Sequence, residues 1–327
     1  MRAMVMTDFG GPDVLKMQDM PEPTLGEQDV LVEVHATAVN PVDTKIREGG
    51  MGQNQPPMIL GYDVSGIVRE VGSMVSAFRV GEEVYASPDL TRPGADAELV
   101  AVDARTIAHK SSRLSHLESA ALPLVTITAW QALHHRARLH QDETVLIHGG
   151  AGGVAHIGLQ LAKLHGCRVI TTASTDESRQ LCEQYGADVI IDYQNEDVVK
   201  RVNAETDGRR CDVVFDTVGG EVFNLSLDCV GVHGRLVTIL PPPENAPIQK
   251  LFLKDATIAL EFMGAATMFG TCPQRQGEIL QTVAELVDAE KLKPHVSHTF
   301  PLEQLPDAHR QQETGHTHGK IAVTVKE

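Results

Sequence analysis

The chain has 327 residues, a formal net charge of −16 and five cysteines. This length is sufficient for two domains with buried cores. An acidic field of this size repels nucleic acid and anionic membrane surfaces, so any phosphate group has to be held by local geometry. The sequence has no apolar run of 18 residues that could span a membrane, and its first residues are typical of a strand rather than a signal peptide.

The cysteines indicate a reducing compartment. They are scattered along the chain and form no C-x-x-C pair (Cys167, Cys182, Cys211, Cys229 and Cys272). This spacing argues against a disulfide framework and against a thiolate zinc site. We therefore expect a cytoplasmic protein.

Two patterns follow each other along the chain. Residues 27–104 form short apolar runs separated by glycine and proline, which predicts an antiparallel or barrel-like β-rich domain. After Ala120, apolar strands alternate with helical stretches, which predicts βαβ units and a parallel sheet. The predicted strands are 144–149, 168–173, 189–193, 212–218 and 234–240. A helix is predicted over 276–292, and residues 254–263 are predicted as an edge strand of the parallel sheet.

A glycine-rich stretch joins the first of these strands to a helix. Gly150, Gly152 and Ala155 form G-x-G-x-x-A in the strand–turn–helix context that dinucleotide-binding sites require. The first glycine permits a tight turn, and the second lets a pyrophosphate approach the backbone at the positive end of the helix. The alternative is a glycine-rich turn without a ligand. The residues predicted to bind the dinucleotide are Gly150, Ala151, Gly152, Gly153 and Val154.

The end of the next strand favours NADP over NAD. NAD sites place a carboxylate there for the ribose 2′-hydroxyl, but this strand ends in Ala-Ser-Thr at 173–175. The missing carboxylate leaves room for a 2′-phosphate, with Ser174, Arg179 and Tyr193 as candidate donors. NAD remains the alternative, and two observations count against a 2′-phosphate site. Ser174 and Glu177 also have the spacing of a helix capping box, and acidic residues at 176–177 would weaken an anion site.

With these motifs in view, the chain resembles the medium-chain dehydrogenase/reductase superfamily, in its zinc-independent quinone oxidoreductase branch and its zinc-type alcohol dehydrogenase-like subgroup. The resemblance rests on residues 36–49, 60–72, 120–130 and 186–193, on the glycine stretch, and on the C-terminal segment from 262. It implies an α/β protein with a GroES-like β-rich catalytic domain (1–121 and 293–327) and a Rossmann domain (122–292). It also implies a homodimer paired through the edge strand at 254–263.

The resemblance allows the zinc ligands of related enzymes to be compared with this sequence. In zinc-dependent relatives, Cys stands at Asn40, His-Glu at Tyr62-Asp63, and a second Cys or His near Leu124. The lobe of four cysteines is also missing, because residues 87–96 contain none. A catalytic zinc ion needs three N, O or S ligands around an open position. We therefore predict that this site binds no metal.

Without a Lewis acid, the substrate has to delocalise the negative charge that develops on hydride transfer. Quinones and α,β-unsaturated carbonyls do so, and we predict their NADPH-dependent reduction. One alternative is an enoyl-thioester reductase, although the sequence shows no basic cluster for coenzyme A. Another is a non-catalytic NADPH-binding protein, such as a sensor or a crystallin, whose glycine stretch would be the same.

Three further residues are candidates for the catalytic site by resemblance, and a fourth, Lys320, is a candidate for cofactor binding. Asn40 would orient the nicotinamide or bond the substrate, or else serve only as a turn residue before Pro41. Tyr62 would donate a proton or hydrogen bond, or else be an ordinary half-buried tyrosine. Thr128 would contact the nicotinamide amide, or else only begin a helix. Lys320 would close over the cofactor, or else be a surface lysine.

Overall fold

A computed structural model of the chain describes residues 1–50 and 54–326. The contacts divide it into two compact units, which are described separately. The first unit comprises Met1–Ile127 and Gly264–Glu327, and the second comprises Thr128–Met263. No helix in the described part of the chain has the length and apolar character needed to cross a membrane.

The strands are β1 (Arg2–Met6), β2 (Leu15–Asp19), β3 (Asp29–Val39), β4 (Met58–Ile59), β5 (Val64–Val71), β6 (Glu83–Ala86), β7 (Leu99–Asp103), β8 (Ile107–His109), β9 (Thr144–Ile147), β10 (Arg168–Thr172), β11 (Val189–Ile191), β12 (Cys211–Asp216), β13 (Val230–Thr238), β14 (Thr257–Leu260), β15 (Val296–Pro301) and β16 (Lys320–Thr324). The helices are α1 (Pro41–Gly49), α2 (His116–Ala120), α3 (Pro123–Trp130), α4 (Gly153–Leu164), α5 (Asp176–Gln184), α6 (Val198–Glu205), α7 (Glu221–Cys229), α8 (Gln249–Phe252), α9 (Ala265–Met268), α10 (Gln274–Asp288) and α11 (Leu305–Glu313). A π-helical stretch, Gln131–Arg136, follows α3.

The first unit is rich in antiparallel strands. Its larger sheet has the order β15-β16-β3-β5-β6-β8, with β7 paired to β3, and its smaller sheet has the order β2-β1-β4. The register of β16 against β3 pairs Ile321 with Val39, so the C-terminal strand lies beside a strand from the N-terminal part of the chain. The β-rich character predicted for this part of the fold is confirmed, and the unit contains segments from both the N-terminal and C-terminal parts of the chain.

The second unit contains the predicted parallel sheet. Its strand order is β11-β10-β9-β12-β13-β14, and each neighbouring pair is parallel. Buried aliphatic and aromatic side chains such as Leu146, Ile170 and Phe223 form its core. β14 lies at an edge of the sheet, as the sequence predicts. The α/β fold class is confirmed.

The strand order reverses at β9. The chain passes from β9 to β10 on one side and later returns to β12 on the other side. Ligands of open α/β sheets bind outside the carboxyl ends of the strands at such a reversal. This topology directs attention to the turns that follow β9 and β12.

Helix α10 lies in the first unit, whereas the sequence boundaries of 122 and 292 put it in the Rossmann domain. Its contacts are with β8 and with the turn at Ala104–Thr106. A Cβ atom on Gly277 would lie 2.5 Å from the Arg105 carbonyl oxygen, so the glycine permits this close approach. The Tyr85 hydroxyl donates to the Leu280 carbonyl at 2.5 Å. The alternation of helices and strands continues through this segment and therefore gives no signal of the change of unit.

Candidate functional site

The glycine stretch forms the turn between β9 and α4. Gly149 has φ +67°, a conformation that favours glycine, and its N–H donates to the Thr172 hydroxyl at 2.9 Å. The Gly150 N–H donates to the Thr172 carbonyl at 3.1 Å. These bonds fasten the turn to the end of β10, directly beside the N-terminus of α4.

Two glycines of the fingerprint have different surroundings. A Cβ atom on Gly150 would lie 2.3 Å from the Thr171 hydroxyl and 2.7 Å from the Cys182 sulfur. Among the described residues, a Cβ atom on Gly152, which precedes α4, would have only the Gly149 carbonyl oxygen within 4 Å, at 3.1 Å. Gly150 is therefore required by packing, whereas Gly152 keeps space open at the positive end of α4. This open cradle fits a pyrophosphate group.

Two of the predicted 2′-phosphate donors lie together. The Ser174 hydroxyl is 3.1 Å from the Tyr193 hydroxyl, and about half of the Tyr193 side chain is exposed. The capping-box alternative for Ser174 is wrong, because Thr175 caps α5 and its hydroxyl accepts from the Ser178 N–H at 3.1 Å. Ser174 therefore does not cap α5, because the helix begins at Asp176, one residue later than a Ser174 cap would require.

Arg179 is held by a carboxylate. Its guanidinium pairs with Asp192, which also accepts from the Asn195 side-chain amide at 2.7 Å. The hydrogen bond from Asn195 lowers the pKa of Asp192, and Arg179 acts in the same direction. Asp192 immediately precedes Tyr193, so this ion pair holds Arg179 near the Ser174–Tyr193 pair.

The turn at 216–220 is a part of the site that sequence analysis missed. Asp216 ends β12, and its Oδ1 accepts from the N–H groups of Val218 and Gly219, both at 2.9 Å. The Thr217 hydroxyl donates to the His148 carbonyl at 2.7 Å. The turn therefore lines the strand-order reversal opposite the glycine stretch. The available signal in the sequence was the pair Gly219-Gly220, which directly follows the predicted strand 212–218.

In the first unit, Asn40 belongs to a buried polar cluster. Its side-chain N–H donates to Asp63 Oδ2 at 2.8 Å, and its Oδ1 accepts from the Lys320 ammonium. Lys320 also contacts Asp63 Oδ2 and the Val39 carbonyl oxygen, each at 3.1 Å. The Leu124 N–H donates to Asp63 Oδ1 at 2.7 Å. Burial raises the pKa of Asp63, while Lys320 and the N–H donors oppose the rise.

Lys320 is not a surface residue. Only 3% of it is exposed, and its ammonium is directed to Asn40, Asp63 and a backbone carbonyl. The surface alternative for Lys320 is therefore wrong. Its predicted contact with a cofactor stays a prediction.

Helix α1 starts directly after Asn40 and is anchored at both ends. Asp43 Oδ2 accepts from the Asn40 N–H at 2.7 Å, which closes the first turn. The buried Arg47 donates to the Gly10 carbonyl at 2.9 Å, lies 3.1 Å from His309 Nδ1, and pairs with Glu313. Asn40 is thus the residue before a fixed helix as well as a member of the buried cluster.

Tyr62 and Thr128 are both buried. Tyr62 has no exposed surface, and its hydroxyl lies 3.5 Å from the Leu90 carbonyl oxygen. Burial raises the pKa of this phenol, which disfavours proton release, and its predicted role as a hydrogen-bond donor stays a prediction. Thr128 lies within α3, beyond its first turn, and is 5% exposed. Its predicted contact with the nicotinamide stays a prediction.

The residues at the zinc-ligand positions do not fit a zinc ion. Asn40 presents an amide, Tyr62 a buried phenol, and the Asp63 carboxylate is bonded to an ammonium and two N–H donors. Catalytic zinc needs three basic N, O or S donors that are free to coordinate. Within residues 1–50 and 54–326, no group of three or more His, Cys, Asp or Glu side chains is arranged to hold a metal ion.

Two family descriptions match the sequence. Residues 26–112 match the family described as Alcohol dehydrogenase GroES-like domain, and residues 185–323 match the family described as Zinc-binding dehydrogenase. The first match falls within the β-rich unit, and the second covers parts of both units.

Similar proteins cover nearly the whole chain. NAD(P)H oxidoreductase RTN4IP1, mitochondrial, of Danio rerio is 32% identical, over 100% of this chain and 92% of its own. Zinc-type alcohol dehydrogenase-like protein SAS2087 of Staphylococcus aureus (strain MSSA476) is 31% identical, over 96% of each chain. The crystal structure of Escherichia coli quinone oxidoreductase complexed with NADPH is 27% identical, covers 99% of this chain and 100% of its own, and has a TM-score of 0.90.

The fold, the strand-order reversal with its glycine turn, and these full-length similarities agree with each other. The chain therefore belongs to the medium-chain dehydrogenase/reductase superfamily, with zinc-type alcohol dehydrogenase-like proteins and quinone oxidoreductases among its relatives.

Proposed function

We propose that the protein is an NADPH-dependent oxidoreductase that reduces a quinone or an α,β-unsaturated carbonyl without zinc. The observation that carries the proposal is the open cradle at Gly152, beside the strand-order reversal of the parallel sheet. The similarity to an NAD(P)H oxidoreductase and to a quinone oxidoreductase supports the reaction class.

The residues around the glycine turn divide into two groups. The turn and the N-terminus of α4 would hold the pyrophosphate through backbone N–H groups. The adjacent hydroxyls of Ser174 and Tyr193 would bond the 2′-phosphate, with Arg179 nearby in sequence. Because the chain carries a net charge of −16, these local donors rather than long-range attraction have to retain the anion.

The glycine turn and the N-terminus of α4 would hold a nicotinamide dinucleotide, which would supply a hydride; with that hydride and one proton from solvent, a quinone would become a hydroquinone. The role of the protein would be to orient the two reactants. The quinone or enone spreads the developing charge over its own conjugated system, so no cation has to lie beside the oxygen. This is the reason for preferring these substrates to simple ketones.

Zinc independence rests on the chemistry of the donors. The Asp63 carboxylate is bonded to Lys320, and the amide and phenol at the other two positions are weak ligands. We therefore expect metal analysis of protein purified without chelator to find no stoichiometric zinc. Activity lost on treatment with a chelator and restored by zinc would contradict the proposal.

A substrate panel tests the reaction. NADPH oxidation is followed at increasing concentrations of several quinones and enones, alongside direct measurement of NADPH binding. We expect saturable turnover with at least one acceptor class. Saturable binding without turnover would favour the alternative of a non-catalytic NADPH sensor, and preference for acyl-thioesters would favour the enoyl-thioester reductase.

We also propose a homodimer formed through the open edge of β14. This strand pairs only with β13 within the described residues, and an open strand edge is usually covered. Exposed apolar residues lie in and before this strand: its last residue, Leu260, is 59% exposed, and Leu253 is 85% exposed. Pairing two copies across a two-fold axis would bury both features.

A reducing compartment, such as the cytoplasm, remains our proposal for location. The five cysteines are free thiols in the structure, and four of them are buried. Burial raises the pKa of Cys211 and Cys182, which keeps these thiols protonated and unreactive.

A further inference from the structure

Asp216 is a buried carboxylate at the carboxyl end of β12. None of its surface is exposed, and its Oδ1 accepts from the Val218 and Gly219 N–H groups, each at 2.9 Å. Its Oδ2 is also buried and has no hydrogen-bond partner within residues 1–50 and 54–326. Buried carboxylates are ordinarily paired or fully hydrogen-bonded, because desolvation of an ion is costly. Asp216 departs from that rule beside the strand-order reversal.

The surroundings of Asp216 do not neutralise its charge. Burial raises the pKa of Asp216, and the N–H donors of Gly219 and Val218 oppose the rise. A proton on Oδ2 would find no acceptor in the described part of the chain, whereas both N–H groups stabilise the ionised form. His148, which follows Ile147 in the register of β9 against β12, adds no positive charge, because burial lowers its pKa to about 4. One uncompensated negative charge therefore lies at this position among the described residues.

The two halves of a dinucleotide would lie on opposite sides of the strand-order reversal. The open cradle at Gly152 lies between them, and the Ser174–Tyr193 pair marks the side of β10 and β11 for the adenosine half. Open α/β sheets bind a dinucleotide across the crevice at such a reversal. The nicotinamide half would therefore extend over the carboxyl ends of β12 and β13, where Asp216 lies.

We propose that Asp216 is the counter-charge of the oxidised nicotinamide ring and strengthens the binding of NADP⁺ relative to NADPH. This inference rests on the proposed function and deepens it. A hydride with its electron pair passes to the quinone or enone, solvent supplies a proton to the reduced acceptor, and one positive charge remains on the nicotinamide ring. A buried carboxylate stabilises that charge as it develops, because Coulomb attraction is strong where water is excluded. The acceptor thus spreads the negative charge, and Asp216 balances the positive one.

A simpler role for Asp216 would be to fix the turn at 216–220. Asp216→Asn separates the two roles, because the asparagine Oδ1 can accept from the same two N–H groups while the charge is removed. Asp216→Ser is a second neutral variant whose hydroxyl oxygen can accept from them, and Asp216→Ala removes charge and acceptor together. A turn role alone predicts that D216N binds both cofactor forms like the wild type. A counter-charge predicts that D216N loses affinity for NADP⁺ only.

The experiment titrates wild type and variants calorimetrically with NADP⁺, NADPH and 2′-phospho-ADP-ribose, which lacks the nicotinamide. We expect D216N and D216S to bind NADP⁺ about 10-fold more weakly, the scale of one partly screened charge interaction, and to bind the other two ligands normally. D216A should lose affinity for NADP⁺ and NADPH alike. Asp212→Asn is the matched control, because Asp212 lies exposed at the amino end of the same strand, about 13 Å away. It should change none of the affinities.

The wild type and the neutral variants answer different questions. A wild type that binds neither NADP⁺ nor NADPH would refute the proposed function together with this inference. Wild-type binding with an unchanged ratio of NADP⁺ to NADPH affinity in folded D216N or D216S would overturn the inference alone. Thermal unfolding reports the fold, and D216N should unfold at or above the wild-type temperature, because an unpaired buried charge is destabilising. These measurements decide the inference even where no acceptor is reduced.

Discussion

At the scale of single residues, we expect the buried Asp96 to be protonated in the folded protein. The Thr37 hydroxyl lies 2.8 Å from the Asp63 carbonyl oxygen and 3.2 Å from Asp96 Oδ1. A hydroxyl has one proton, and the shorter bond to the Asp63 carbonyl oxygen leaves Asp96 with only a weak share of it, so we expect the buried carboxyl group to hold a proton of its own. Burial raises the pKa of Asp96, and the charge of Asp43 adds to the effect.

This assignment predicts a pH-dependent difference in stability for Asp96→Asn. A carboxyl pKa that is raised on folding gives stability that is complete below the unfolded-state pKa and is lost as pH rises toward the folded-state pKa, by at most about 1.4 kcal/mol per pH unit. Asparagine keeps a donor for Thr37 without that loss. Thermal unfolding from pH 5 to 8 should therefore show an advantage of D96N over wild type that grows with pH.

The matched control for Asp96→Asn is Asp19→Asn, at an exposed position of β2. Its difference from wild type should stay nearly constant over the same pH range. A D96N protein whose stability falls relative to wild type as pH rises would show that Asp96 is ionised in the folded state.

Ser174 and Tyr193 make a second prediction at this scale. Hydrogen bonds to charged groups contribute about 1.5–3 kcal/mol, so Ser174→Ala or Tyr193→Phe should lower kcat/KM for NADPH roughly 10- to 100-fold. NADH has no 2′-phosphate, and its kcat/KM should be unchanged. Steady-state kinetics with both cofactors measures the difference.

Ser112→Ala, at an exposed position of the first unit, serves as the control for these variants. Equal losses with NADPH and NADH in S174A would mean that Ser174 supports the turn rather than a phosphate. A wild-type protein that prefers NADH would remove the NADP assignment altogether.

At the scale of elements, two glycines in the turn between β9 and α4 are expected to have different roles, Gly150 in packing and Gly152 in cofactor binding. In Gly150→Ala the new methyl group would meet Thr171 and Cys182, and overpacking of this kind costs about 1–3 kcal/mol of folding stability. In Gly152→Ala the methyl group would lie 3.1 Å from the Gly149 carbonyl oxygen and φ is −75°, so only a small backbone shift is needed and the loss of folding stability should be smaller than in Gly150→Ala. That methyl group would occupy the proposed pyrophosphate cradle and weaken NADPH binding about tenfold or more.

Thermal unfolding and NADPH fluorescence titration measure the two effects. The two glycines act as controls for each other, because G150A should lose mainly stability and G152A mainly affinity. Normal NADPH affinity in a folded G152A protein would mean that the pyrophosphate does not approach the backbone at this residue.

The elements also show which predictions depend on local sequence. The parallel strands and the glycine turn were predictable because apolar periodicity and glycine spacing lie within short windows. The cap of α5 was not, since Ser174 with Glu177 and Thr175 with Ser178 both have plausible spacing. The choice between these two pairs depends on the residue at which α5 begins, which only the structure shows.

At the scale of the whole molecule, the open edge of β14 predicts assembly. Leu253→Lys with Leu260→Lys puts positive charge on both copies of the proposed interface, where like charges repel. Light scattering should find the wild type as a dimer and this double variant as a monomer. Val80→Lys replaces an apolar residue that is 67% exposed in the first unit and should leave the dimer intact. A stable wild-type monomer would contradict the assembly proposal.

The sequence by itself determined the α/β class, the parallel sheet and the glycine turn. Each of these follows from residues that are near each other in the chain, where spacing reports the periodicity of strands and helices. Superfamily membership was recognisable from motifs for the same reason.

Only the tertiary structure decided the buried cluster. Asn40 and Lys320 are 280 residues apart, and they meet because β16 pairs with β3 in the register that sets Ile321 opposite Val39. No local pattern distinguishes a lysine buried against a distant carboxylate from one on the surface. Burial and long-range pairing are properties of the packed chain. They decided between the two alternatives for Lys320, which is a buried partner of Asn40 and Asp63 rather than a surface lysine.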